Sequence, residues 1–218
     1  MAQYKAVIFD LDGTLVNSID DLAESINEVL RTANFPVHTI EKCKSFIGSG
    51  MRKLVYRALP ESARSDEEVS NYTNKLIEIY GERCTLKTYP YDHIVAVLDK
   101  LAFESIVIAV LSNKIDHLTK KIVNYFFSDY EIKEVYGVKD DRLKKPNPEV
   151  TLQIAKNLNL APMEILFVGD SDIDIQVARN AGMDVASVTW GFQPKEKLVG
   201  SKPDYIIDSP LELIAVIS

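Results

Sequence analysis

One stretch near the start of the chain constrains the fold more than any other. Residues 5–14 are Lys-Ala-Val-Ile-Phe-Asp-Leu-Asp-Gly-Thr, an apolar run that ends in two aspartates. Continuous apolar runs are typical of strands that are buried on both faces of a parallel α/β sheet. Such sheets bind ligands at the carboxyl ends of their strands. We therefore predict a chemical site at Asp10 and Asp12, whose side chains point the same way because they lie two residues apart.

The rest of the chain predicts further strands and the helices between them. A helical pattern begins after Thr14, and no strand pattern appears until about residue 85, so we predict a helical insertion over 15–85. Beyond it, apolar runs alternate with helical patterns, which indicates a parallel sheet with helices on both faces. The predicted fold class is α/β, a Rossmann-like parallel sheet formed by 1–14 and 86–218, with an inserted all-helical subdomain.

Three local patterns predict how helices begin. Ser18 and Asp21 have the spacing of a capping box. Asp92 is a candidate N-cap for the helix that follows it. Ser112 and Asn113 are also candidate N-cap residues, in addition to any chemical role.

Polar residues follow three of the predicted strands, and a lysine pair precedes a later helix. The residues are Asp10 and Asp12, Ser112 and Asn113, Asp170 and Asp174, and Lys144 and Lys145. Because the carboxyl ends of parallel strands meet at one edge, we expect these groups to form one site. Carboxylate oxygens suit Mg²⁺, while hydroxyl, amide and ammonium groups suit phosphate oxygens. This composition points to phosphoryl transfer by positioning and charge neutralisation.

Four motifs, in this order, resemble those of the haloacid dehalogenase superfamily of phosphatases. They are Asp-Leu-Asp-Gly-Thr at 10–14, Leu-Ser-Asn-Lys at 111–114, Lys-Pro-Asn-Pro at 145–148 and Gly-Asp-Ser-x-x-Asp at 169–174. The resemblance covers essentially the whole chain. It implies an Mg²⁺-dependent phosphatase that acts through an aspartyl-phosphate, with the helical insertion as its cap.

The resemblance also implies roles for the acidic residues. Asp10 would attack phosphorus. Asp12 would protonate the leaving oxygen and then activate water. Asp170 would bind Mg²⁺ together with the Asp10 carboxylate and the Asp12 backbone carbonyl. Asp174 would hold metal-bound water.

The phosphate itself would be bound by three further residues on the same resemblance. These are Ser112, the backbone amide of Asn113, and Lys145. Lys145 is preferred to Lys144 because it directly precedes the proline, which also biases its backbone to an extended conformation.

Substrate choice is expected to depend on the helical insertion. Residues 47–59 resemble the cap segment of phosphoglycolate phosphatases, and 188–192 and 208–213 also fit that subfamily. Gly48 and Gly50 would let backbone N–H groups approach an anion, and either Arg52 or Lys53 could pair with a carboxylate. In the alternative interpretation, Arg52 is an exposed helix residue and the glycines form a turn. Pyrophosphatases, sugar-phosphate phosphatases and mutases of the superfamily remain alternative functions.

Composition narrows the classes of partner. The net charge of −7 disfavours nucleic acid and anionic membranes, and no apolar run approaches the ~20 residues of a membrane span. The first strand begins within five residues, which leaves no room for a secretory signal, so we expect a cytoplasmic protein with free thiols at Cys43 and Cys84. The expected partner is a small phosphate ester, and the chain would act as a monomer or homodimer. A phospho-accepting or scaffold protein is the non-enzymatic alternative.

Overall fold

The structure, a computed structural model, describes residues 4–217 of the 218-residue chain. The chain forms two compact units, one made of 1–16 and 90–218 and the other of 17–89. The corresponding predicted ranges were 1–14 with 86–218, and 15–85. The chain passes from one unit to the other within two short strands, β2 (Val16–Asn17) and β3 (Tyr89–Pro90). These strands pair as a two-stranded sheet.

The larger unit is built on a six-stranded sheet, which confirms the predicted α/β class. Its strands are β1 (Ala6–Phe9), β4 (Val107–Ile115), β5 (Ile132–Val138), β6 (Ile165–Gly169), β7 (Asp184–Val188) and β8 (Tyr205–Ile207). They lie in the order β5-β4-β1-β6-β7-β8, and every neighbouring pair is parallel. All four residues of β1 are buried, as expected of a central strand with both faces covered.

Helices of the larger unit follow the strands in alternation. They are α5 (Ile94–Phe103), α6 (Asp116–Phe127), α7 (Glu149–Leu158), α8 (Asp172–Ala181), α9 (Lys195–Gly200) and α10 (Glu212–Ile217). One face of the sheet forms a continuous core with α7 and α8, in which Ile8 and Phe167 contact the helix layer. Adjacent residues of the same strands, such as Val7 and Val168, are also buried, so both faces are removed from water.

Apart from the strand residues Asn17 and Tyr89 at its two ends, the smaller unit is built from helices, of which four are α-helices. They are α1 (Ile19–Thr32), α2 (Ile40–Lys44), α3 (Met51–Ala58) and α4 (Asp66–Arg83). Ser65 caps α4 by accepting the amide of Glu68 and donating to its carboxylate. Cys43 and Cys84 are buried free thiols, as predicted.

Two of the predicted helix caps are wrong, although α1 does begin directly after Ser18 as predicted. The Ser18 side chain makes no capping bond to α1. The Asp21 carboxylate instead accepts hydrogen bonds from the amides of Lys87 and Thr88 and from the Thr88 hydroxyl. Because Asp21 is buried, its oxygens need hydrogen-bond donors from the protein, and the chain at residues 87 and 88 supplies them. The N-cap of α5 is His93, in a left-handed conformation, and not Asp92.

Ser112 and Asn113 do not cap a helix either. They lie within β4, and the residue at the N-cap of α6 is Ile115. The strand continues past the predicted end because its pairing with β5 resumes at Ile115 after a register shift. Among the described residues, no helix is both long enough and apolar enough to cross a membrane.

Candidate active site

Asp10 lies directly after β1 and is held against a buried lysine. Its backbone amide donates to the carbonyl of Val168 at 2.8 Å, which continues the pairing of β1 with β6. The Lys145 Nζ lies 2.8 Å from Asp10 Oδ1 and 2.7 Å from Asp174 Oδ1. The sheet and the loop before α7 therefore place two of the predicted acidic residues, Asp10 and Asp174, within ion-pair distance of the same ammonium group. Lys144 instead pairs with Asp141.

The backbone of Lys145 is fixed by Asn113. The Asn113 Oδ1 accepts the Lys145 amide at 2.8 Å, and its Nδ2 donates to the Lys145 carbonyl at 3.1 Å. The ammonium group also donates to the carbonyl of Leu111 at 3.1 Å. The Asn113 side chain thus positions the lysine, which the sequence interpretation did not anticipate.

Asp170 follows β6. Its side chain lies so close to Gly13 and Gly191 that neither position has room for a Cβ. A Cβ on Gly13, whose φ is +87°, would lie 2.7 Å from Asp170 Cγ. A Cβ on Gly191 would lie 2.5 Å from both Asp170 Oδ2 and the Gly13 carbonyl. The amide of Phe192 donates to Asp170 Oδ2 at 2.6 Å. The loop after β7 therefore orients this carboxylate.

Replacing Gly191 with alanine should destabilise the protein, because the new Cβ would force apart Asp170 and the Gly13 backbone. We expect the free energy of unfolding to fall by about 1–3 kcal/mol, as overpacking usually costs. Urea denaturation measures it. Gly200→Ala is the matched control, since a Cβ there would meet nothing within 4 Å, and it should be neutral or slightly stabilising. Equal stability of both variants would contradict the close packing.

The same loop also contacts the chain just after the two aspartates. The Trp190 indole N–H donates to the carbonyl of Thr14 at 3.1 Å. The sequence interpretation gave no individual role to Trp190, Gly191 or Phe192. A glycine in the loop after β7 was the available signal for Gly191. The contact of Phe192 is made by its backbone amide, which the residue type does not reveal.

Asp174 is fully buried in the first turn of α8. Its Oδ2 accepts the amide of Ser171 at 3.1 Å and the hydroxyl of Ser171 at 2.5 Å, and Oδ1 accepts from Lys145. A Cβ on Gly169 would lie 2.6 Å from Asp174 Oδ2, so the strand end must be glycine for α8 to approach. Both oxygens of Asp174 are thereby engaged by the protein.

Asp12 is paired with a second buried lysine. The Lys114 Nζ lies 2.9 Å from Asp12 Oδ1, and the Lys114 side chain is 1% exposed. Ser112 is buried, and its hydroxyl oxygen accepts the amide of Lys114 at 3.2 Å. Lys114 was not among the predicted site residues, although it directly follows Ser112 and Asn113 in the sequence.

The acids outnumber the cations at the centre of the site. Burial raises the pKa of Asp10 to about 7; the Lys145 ammonium opposes this shift and the Asp174 charge adds to it. Burial also raises the pKa of Asp170 well above its usual range, and the charges of Asp10 and Asp174 contribute. Burial disfavours the Lys145 ammonium, but Asp10 and Asp174 outweigh it and raise its pKa. Positive charge is therefore in deficit.

This deficit fits a hard divalent cation. Asp10, Asp170 and Asp174 each offer a carboxylate oxygen within 4.8 Å of the others. Carboxylate oxygens are the ligands that Mg²⁺ and Ca²⁺ take in proteins. Because both oxygens of Asp174 already accept hydrogen bonds, Asp10 and Asp170 are the better candidates for direct ligands.

The predicted cap residues all lie in the smaller unit. Gly48 and Gly50 have φ values of +100° and +86°, and Gly50 is the N-cap of α3. Arg52 donates to the Ser70 hydroxyl at 2.7 Å and to Asp66 Oδ1 at 2.8 Å. Its guanidinium is thus engaged by α4 within its own unit.

A parallel α/β sheet that carries aspartates and a lysine at the carboxyl ends of its strands is typical of enzymes that use carboxylates as catalytic groups. The chain belongs to the haloacid dehalogenase-like hydrolases, since the model of that family matches residues 7–188. The resemblance stated from the motifs is thereby confirmed, and the buried aspartates are its conspicuous feature.

Full-length relatives support this assignment. The chain is 31% identical to a phosphoglycolate phosphatase from Haemophilus influenzae over 99% of both chains, and 30% identical to one from Aquifex aeolicus over 96% and 95%. The solved structure of a predicted phosphoglycolate phosphatase from Haemophilus somnus is similar with a TM-score of 0.91 and 31% identity, covering both chains completely.

Proposed function

We propose that this hydrolase is an Mg²⁺-dependent phosphatase that hydrolyses a small phosphomonoester, with phosphoglycolate as the favoured substrate. The observation that carries the proposal is the buried group of Asp10, Asp170 and Asp174 around the Lys145 ammonium. A cluster with this deficit of positive charge suits a divalent cation, which can in turn bind the oxygens of a phosphate. The phosphatases among the full-length relatives support phosphoglycolate in particular.

In the proposed first step, a carboxylate oxygen of Asp10 attacks phosphorus. The bond from phosphorus to the ester oxygen breaks. The ester oxygen keeps the electron pair of that bond and receives a proton from Asp12. Lys145 and Ser112 bind phosphate oxygens together with the Asn113 amide. The hydrogen bonds from Asn113 to the backbone of Lys145 keep the ammonium group beside Asp10.

In the proposed second step, Asp12 takes a proton from water as the water oxygen attacks phosphorus of the aspartyl-phosphate. The bond between phosphorus and Asp10 breaks, which releases phosphate, restores the Asp10 carboxylate and leaves Asp12 protonated for the next turnover. Mg²⁺ would be held by Asp10, Asp170 and the Asp12 carbonyl, with Asp174 binding its water, and would neutralise phosphate charge. These ligand roles are part of the proposal.

We assign the helical unit, residues 17–89, as a cap that selects the substrate through Gly48, Gly50 and Arg52. The dehalogenases of the superfamily need only the nucleophile, whereas Asp12 supplies the acid that an ester oxygen requires. A phosphatase is therefore favoured over a dehalogenase. Pyrophosphate and sugar phosphates are the competing substrates, and a mutase would need a sugar bisphosphate intermediate.

A substrate panel tests the proposal. With Mg²⁺, kcat/KM for phosphoglycolate should exceed the values for pyrophosphate and several sugar phosphates by about tenfold or more, a difference of about 1.4 kcal/mol. Phosphate release measures it. Arg52→Ala should raise KM by about tenfold for phosphoglycolate only, because pyrophosphate has no carboxylate.

Asp66→Asn is the matched control for Arg52, since it removes the ion pair but keeps the guanidinium. It should not raise KM. If both variants changed KM for all substrates equally, Arg52 would have only a structural role in the cap. Comparable rates on the whole panel would reject phosphoglycolate, and no release from any ester would reject the phosphatase.

A further inference from the structure

Lys114 is a buried cation to which the proposed chemistry gives no role. Its Nζ lies 2.9 Å from Asp12 Oδ1, with exposures of 1% for its own side chain and 12% for that of Asp12. We propose that Lys114 is a positioning residue, which holds the carboxyl group of Asp12 in the orientation needed for proton transfer to the leaving oxygen. This inference rests on the proposed function, because the proposed function is what makes Asp12 the acid and the base.

The backbone of Lys114 is fixed where the pairing of β4 and β5 shifts register, between Leu111 and Ile115. Such irregularities re-aim side chains and are common beside active sites. The Lys114 amide donates to the Ser112 hydroxyl oxygen at 3.2 Å, and its carbonyl accepts from the Thr119 hydroxyl at 3.3 Å. The lysine is therefore anchored at both its amide and its carbonyl.

A glycine on the neighbouring strand allows this arrangement. A Cβ on Gly137 would lie 2.6 Å from the Lys114 carbonyl oxygen and 2.5 Å from Thr119 Oγ1. β5 can therefore approach the shifted segment only because residue 137 has no side chain. The position of the Lys114 backbone thus depends on contacts from β4, β5 and α6 together.

Charge explains why a lysine is retained at this buried position. An ammonium group is costly to bury unless a carboxylate compensates it. Lys145 forms ion pairs with Asp10 and Asp174, whereas Lys114 forms an ion pair with Asp12. The two neighbouring aspartates thus have separate cationic partners. Because a carboxylate bound to a rigid ammonium has few orientations, Asp12 is held in place before the substrate arrives.

The leaving group provides a test, since a poor one needs the proton from Asp12 and a good one does not. p-Nitrophenolate is a good leaving group, and an alkoxide is a poor one. Lys114→Met should lower kcat/KM by about 100-fold for the alkyl phosphate that the wild type hydrolyses best. It should lower kcat/KM for p-nitrophenyl phosphate by less than about tenfold, with KM for both nearly unchanged. kcat/KM is compared because it reports formation of the aspartyl-phosphate.

Two further variants separate positioning from a general loss of structure. Asp12→Asn should give the same dependence on the leaving group, and adding Lys114→Met to it should cause little further loss, because coupled residues are not additive. The double variant also keeps the test available if Lys114→Met alone folds poorly, since it contains no unpaired buried carboxylate at residue 12. Lys120→Met, which removes an exposed ion pair on α6, should leave both kcat/KM values unchanged.

Equal losses on both esters, or additive losses in the double variant, would overturn the positioning role while leaving the proposed function intact. Unchanged activity of Lys114→Met would do the same. A wild-type protein that hydrolysed neither ester would overturn the phosphatase proposal and the role of Lys114 with it.

Discussion

Asp10→Asn should abolish hydrolysis of phosphomonoesters and at the same time stabilise the metal-free protein. The amide cannot form the aspartyl-phosphate, so kcat should fall by at least about 10⁴-fold, as expected when a nucleophile is removed. The stabilisation should arise because Asp10 is buried among other acids in a site with too little positive charge. Phosphate release and thermal unfolding in EDTA measure the two effects.

The stabilisation should depend on pH in a defined direction. The pKa of Asp10 is raised to about 7, whereas aspartates of an unfolded chain titrate near about 4. The folded state therefore binds this proton more tightly, and wild-type stability is lost as pH rises from about 4 through about 7. The variant lacks the group, so its advantage should be absent below about pH 4 and largest above about pH 7. Mg²⁺ should reduce the advantage, since a cation favours the ionised wild-type site.

Asp172→Asn provides a control of opposite sign. Burial disfavours the Asp172 carboxylate, but hydrogen bonds from Gln193 and Lys197 outweigh this and lower its pKa. The wild type should therefore be the more stable protein at neutral pH, and the difference should disappear as the medium becomes acidic. An Asp10→Asn protein that was less stable at pH 8 in EDTA, or that kept turnover, would contradict the role of Asp10.

The core of the fold could be predicted because its signals are local. The run before Asp10 is apolar at every position, and a strand buried on both faces needs no alternation. The motifs then placed Lys145 rather than Lys144 in the predicted site, and the structure pairs Lys145 with Asp10 and Lys144 with Asp141. The strand order was not predicted, because it depends on which buried strands pair at long range.

The errors occurred where a side chain had a choice of partners. Asp21 had the spacing to complete a capping box, yet it accepts hydrogen bonds from Lys87 and Thr88, which are 66 and 67 residues away. Residue type gives no hint of a partner so distant in the chain. Ser112 had cap chemistry as well, but the continued pairing of β4 with β5 keeps it in a strand.

The missed residues of the site share a different physical cause. A lysine near the end of a strand is usually solvated, and only the tertiary structure shows that Lys114 is buried against Asp12. Phe192 contributes a backbone amide to Asp170, which any residue except proline could supply. Both contacts depend on how loops from separate strands meet at the sheet edge, and a single sequence does not encode that meeting in local patterns.

Lys145→Met should be the most destabilising of the single substitutions considered. It would leave Asp10, Asp170 and Asp174 buried without their ammonium partner, and removing one partner from a buried ionic group costs roughly 3–5 kcal/mol. For a domain of this size each kcal/mol corresponds to a fall of about 2–4 °C in Tm. Activity should be lost as well, because phosphate and the Asp10 carboxylate would both lack their cation.

The loss of stability in Lys145→Met should be relieved by acid, since protonation of the three aspartates removes the unpaired charge. Lys144→Met is the matched control: it removes a lysine one residue earlier, whose partner Asp141 is largely exposed, and should cost less than about 1 kcal/mol. Urea denaturation of both variants at pH 5 and pH 8 makes the comparison. If the two substitutions cost the same, or if the cost at residue 145 did not grow with pH, the carboxylates would not be what Lys145 neutralises.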